Sequence, residues 1–126
     1  MSLIKKWGSI SISGETELEH CMPQALTDPQ YEDVRFLGYP HRHLLKYRVS
    51  IQVFNEDREI EFIQFKRWIQ SLYGNGILNA NYKSCEMLSD ELAAKIHEKY
   101  PGREMKIEMF EDGENGSIAH YKPDFI

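Results

Sequence analysis

Isoleucines at positions 10 and 12 alternate with serines through residues 9–13, the period of two expected of a strand with one buried face. Gly14 reads as a bulge or bend, after which residues 15–20 continue extended. Residues 22–39, with Pro23, Asp28-Pro29 and Gly38, show no sustained period. They read as a long connection, a feature often tied to function in a small domain. From His41 the odd positions run His41, His43, Leu45, Tyr47, Val49, Ile51, Val53, and the even ones include Arg42, Lys46, Arg48, Ser50 and Gln52. This predicts a second strand with an apolar face that begins with two histidines.

Beyond a turn at residues 55–58, Phe62, Phe65, Ile69 and Leu72 recur at helical spacing, predicting a helix over 59–73 that ends at Gly74-Asn75-Gly76. A second helix is predicted over 85–100, with Ser84 as N-cap and Leu88, Leu92 and Ile96 on one stripe, stopped by Pro101-Gly102. Met105, Ile107 and Met109 alternate as a third strand, and the polar run 111–116 turns into a short fourth over 117–121. The predicted architecture is α+β: a ββααββ chain forming an antiparallel four-stranded sheet with two helices on one face. Its 126 residues form one domain, 1–126.

Composition narrows the function. With 20 acidic against 15 basic side chains and no cationic run longer than Lys5-Lys6 or Lys66-Arg67, nucleic acid is not an expected partner. No stretch approaches a membrane span and the start lacks an apolar leader, so neither export nor anchoring is expected. Cys21 and Cys85 form no CxxC pair, and a reducing, cytoplasmic setting is the expectation. Nucleotide-binding loops, HExxH and GxSxG are all absent.

The chemistry concentrates in histidines. If the first two strands pair as an antiparallel hairpin, His20 at the end of one meets His41 and His43 at the start of the other. Three neutral imidazoles are a good zinc set that leaves a fourth position for water or substrate. On spacing alone the trio is either such a site or an HxH pair with an unrelated third histidine. His97, beside Glu98 and Lys99, reads as solvated surface, whereas His120 lies on the last strand with nothing to assign it. Cys21 should face away from a metal at His20, because strand neighbours alternate sides. Cys85 reads as packing. Glu111, Asp112 and Glu114 read, as residues alone, as a solvated acidic turn.

The segment Leu18-Glu19-His20-Cys21-Met22-Pro23, then His41-Arg42-His43 leading into Tyr47-Arg48-Val49, resembles the 6-pyruvoyl- and 6-carboxy-tetrahydropterin synthases of the tunnelling fold. So do Ile60-Glu61-Phe62 at the first helix, Ser84-Cys85-Glu86-Met87-Leu88 at the second, and Ile107-Glu108-Met109-Phe110-Glu111 in the third strand. The resemblance covers nearly the whole chain, as a pattern. It implies zinc held by His20, His41 and His43, and a pterin-like or purine-like ring bound by Glu111, whose two oxygens match the ring's paired N–H donors. It further implies zinc-dependent, lyase-type chemistry and a homo-oligomer, a trimer or a stacked pair of trimers, to which exposed sheet edges also point. Two departures stand out. The family's cysteine four residues before HxH is Leu37 here, and its Asp-His pair between the helices has no counterpart in residues 72–82. The alternative reading is a non-catalytic metal- or ligand-binding module on the same fold.

Overall fold

The computed structural model describes residues 1–124. Strand β1 (Gly8–His20) pairs antiparallel with β2 (His41–Val53) along its whole length, from Gly8 opposite Val53 to His20 opposite His41. The register passes Gly14 without a break, so the expected bulge is absent. Gly14 instead faces Tyr47, which is only 3% exposed, and a Cβ at position 14 would run into the Tyr47 ring. Close packing of the ring across the strand is the reason for glycine here. Gly14→Ala should therefore destabilise by about 1–3 kcal/mol in urea unfolding, and by less when introduced into a Tyr47→Val background. A single-variant effect below about 0.5 kcal/mol would show that the ring does not depend on glycine.

The connection between these strands is not featureless. It holds two 3-10 stretches, Pro23–Leu26 and Pro29–Gly38, each entered at a proline, the second broken at Tyr31 and Val34. Asp28 accepts a hydrogen bond from the Gln30 N–H, and the Met22 N–H donates to Leu37 O at 2.7 Å, bringing the two ends of the loop together.

Helix α1 (Phe62–Tyr73) starts three residues later than its apolar spacing predicts. Glu59 is drawn out of the helix: its carboxylate accepts from the Phe54 and Asn55 N–H groups and pairs with Arg103. Glu61 then caps the helix, accepting from Gln64 N at 2.7 Å. After α1 the chain forms a strand that the sequence pattern does not announce, β3 (Leu78–Asn81), parallel to β1 and paired only with Leu18–His20. Helix α2 (Cys85–Lys99) is capped by Ser84 as expected and buries Leu88, Leu92 and Ile96. Strands β4 (Met105–Glu111) and β5 (Asn115–Tyr121) close the chain as a hairpin, with β4 antiparallel to β2.

The sheet is thus five-stranded and mixed, in the order β3-β1-β2-β4-β5, and not the four-stranded antiparallel sheet expected. The α+β class stands. One face of the sheet packs against both helices: Leu18, Leu45, Val49, Ile51, Ile107 and Met109 join Phe65, Ile69, Leu92 and Ile96 in a single buried cluster. Burying each such side chain contributes roughly 1.5–3 kcal/mol. Because strand side chains alternate, the positions in register with this core at one end of β1, β2 and β4 are His20, His41, His43 and Glu111. No helix among the described residues is long and apolar enough to cross a membrane.

Candidate metal centre

Antiparallel pairing does for the three histidines what spacing alone left open. His20 lies opposite His41, and His43 lies opposite Leu18, two residues before His20 on the same face. The rings sit edge to face with centroids 4.6–5.3 Å apart, and one ligand nitrogen from each lies within 4.8 Å of the others. The His20 and His43 side chains are 10% and 19% exposed.

Each ring is held by its Nδ1. His20 Nδ1 is 2.8 Å from Lys83 O, His41 Nδ1 2.8 Å from Tyr39 O, and His43 Nδ1 2.7 Å from Asp112 Oδ2. All three partners only accept, so each Nδ1 carries the proton and each neutral ring keeps a bare lone pair on Nε2. The parallel strand β3 has a role here, since it leads into the turn that supplies Lys83 O.

Glu111 joins from β4, opposite Leu45 and on the same face. Its Oε1 is 3.3 Å from His20 Nε2 and its Oε2 3.1 Å from His43 Nε2. The second contact is not aligned as a hydrogen bond, and His43 Nε2 is left buried without a partner. Two lone-pair nitrogens facing a carboxylate repel it unless a proton or a cation lies among them. The Glu111 contact raises the His20 pKa against the opposing effect of burial, and the same contact holds the Glu111 carboxyl below the usual carboxylate range. A metal cation would relieve all of these groups together. Three imidazole nitrogens, an orphaned buried Nε2 and an adjacent carboxylate fit a bound metal ion.

A cavity of about 500 Å3 opens beside His20, His41 and Glu111, bordered by Met22, Leu37, Cys85 and Glu86. Cys21 borders it as well, because the chain leaves the strand after His20, where the Cys21 N–H donates to Asn81 O. Cys21 lies outside the histidine group. Cys85 is buried in the first turn of α2 with Sγ 3.8 Å from Glu111 Oε1. Burial, and secondarily the Glu111 charge, push its thiol up to about 12. His97 and His120 are exposed and belong to no such group, as expected for His97.

Asp112 is the residue that sequence reasoning passed over. Its sequence signal is only its place directly after Glu111, whereas its use depends on the β4–β5 turn meeting the start of β2. No protein-family model matches the chain, and no curated protein matches it.

Proposed function

We propose that the chain binds zinc through His20, His41 and His43 beside a pocket for a pterin-like or purine-like ring anchored by Glu111, as the tetrahydropterin synthases it resembles do. The observation that supports this most is the convergence of three imidazoles whose Nδ1 atoms are all tied to acceptors, which leaves three Nε2 lone pairs for one cation. Imidazole donors with an open fourth position suit zinc. Bound zinc would act as a Lewis acid on an oxygen of the ligand's side chain. Glu111 borders the cavity with its oxygens 3.3 Å from His20 Nε2 and 3.1 Å from His43 Nε2, and a carboxylate there can accept from a ring's paired N–H groups.

Between lyase-type turnover and binding alone, the cavity wall favours binding. Leu37 contributes no thiol, Cys85 is held protonated, and residues 78–81 are spent on β3. The test joins metal analysis of purified protein, calorimetric titration with pterins and deazapurines, and a turnover assay. About one zinc per chain with ring binding supports the proposal; neither metal nor ring binding sinks it. Turnover separates an enzyme from a binding module. With two free thiols, the cytoplasm is the proposed compartment.

A homo-oligomer, trimeric or a pair of trimers, belongs to the same proposal. Strand β3 covers only Leu18–His20 on its side of β1, which leaves the rest of that edge free of a strand partner among the described residues, and β5 forms the other edge. Edges of this kind pair with further strands. Sedimentation should show a species three or six times the 14.8 kDa chain mass; a monomer alone at micromolar concentration would count against assembly.

A further inference from the structure

We infer that Asp112 is a positioning residue of the metal centre, the anion that fixes the His43 tautomer and strengthens its Nε2 as a donor. The inference rests on the metal-centre reading above. Of the three Nδ1 atoms only that of His43 meets a carboxylate; those of His20 and His41 meet backbone carbonyls. Asp112 is itself immobilised. Its Oδ2 meets His43 Nδ1 at 2.7 Å, its Oδ1 accepts from Leu44 N at 2.8 Å, and its own N–H donates to Leu44 O at 2.8 Å. The carboxylate therefore cannot rotate away without breaking a bond to β2.

The backbone underlines this use. Asp112 has a φ of 57°, the left-handed region that a side-chain-bearing residue seldom adopts. Gly113 follows at a φ of 74°, so the pair forms an Asp-Gly hairpin turn that holds the Asp112 side chain against the start of β2. The ring that it holds is also the one whose Nε2 is buried and unpartnered. An anionic acceptor on Nδ1 makes the opposite nitrogen more basic, as an outer carboxylate does for a metal-bound histidine.

Asparagine separates this role from a structural one. It tolerates the left-handed conformation, and its amide oxygen can keep the Leu44 N–H bond. Its NH2 group then faces His43 Nδ1 and demands an acceptor there, so the ring proton moves to Nε2. At that position Glu111 Oε2, 3.1 Å away, favours the misplaced proton. If the amide flips instead, two donors meet at Leu44. Asp112→Gly keeps the turn and leaves the ring free to take either tautomer.

The experiment is ring-nitrogen NMR of metal-free protein at about pH 9, where imidazoles are neutral, with zinc affinity measured by chelator competition. In the parent, His43 should be the Nδ1–H tautomer; in Asp112→Asn it should be Nε2–H, with His20 and His41 unchanged. Zinc binding should weaken roughly 10- to 100-fold in Asp112→Asn, and less in Asp112→Gly. A merely structural turn residue would not produce that order, since glycine retains none of the Asp112 side-chain bonds. An unchanged His43 tautomer in Asp112→Asn, or weaker zinc binding in Asp112→Gly than in Asp112→Asn, overturns the inference. If the tautomer switches in Asp112→Asn as expected but the parent takes up no zinc, the metal reading falls and the assignment of Asp112 as tautomer-setting residue stands.

Discussion

Purified protein carrying His41→Ala and His43→Ala together should hold no zinc, where the parent holds about one per chain through nitrogens at roughly 2.0–2.1 Å. Two of the three rings are lost, and His20 with Glu111, 3.3 Å apart, is too small a donor set to hold the ion. Unfolding carries the same message. A metal that binds only the folded chain stabilises it by about 4 kcal/mol at a free concentration a thousand times its Kd. The parent should gain that increment on zinc addition, measurable as a rise of about 15 °C in Tm. The double variant should gain none. Equal metal content in parent and variant would place any bound ion elsewhere.

Glu111→Ala should cost a bound pterin-like or deazapurine ring on the order of 2–4 kcal/mol, roughly 30- to 1000-fold in affinity. The ring's paired donors would lose their acceptor inside a partly desolvated pocket. Glu114, exposed in the same turn and engaged among the described residues through its backbone N–H to Glu111 O, is the control, and Glu114→Ala should do far less. Glu111 also faces His20 and His43, so zinc affinity should be followed in parallel, with a partial loss of at most roughly 10- to 100-fold expected from an outer carboxylate. Calorimetry with zinc-loaded protein reads both effects. Equal losses from the two substitutions, or complete zinc loss from Glu111→Ala, would show that Glu111 is not a ring anchor.

The two long strands and both helices were legible because each carries a sustained period. The odd-position stripe from His41 to Val53 matches β2 to the residue, and Ser84 with Leu88, Leu92 and Ile96 marks α2. Local periodicity is a property of neighbours in the chain, and the sequence states it directly. What it left unstated came from partners distant in sequence. Strand β3 is four residues long, Leu78–Asn81, too short for a period and strand-like only because Leu18–His20 offers it a parallel edge. Glu59 leaves its helix because Arg103 and the 54–55 turn claim its carboxylate. Gly14 is a packing glycine and not a bulge because the Tyr47 ring covers it from the opposite strand.

The site divides in the same way. Parity along β1 and β2, plus hairpin pairing, was enough to bring His20, His41 and His43 to one face of one sheet end, since a strand alternates sides whatever surrounds it. Which nitrogen of each ring points inward was a tertiary decision. Lys83 O, Tyr39 O and the Asp112 carboxylate settle it, and two of these three reach their histidine across 63 and 69 residues of chain. Residue types and their spacing determine what donors exist and which side of a strand they occupy. Only the folded arrangement of acceptors around each ring determines where its proton sits, and that leaves the three Nε2 lone pairs bare.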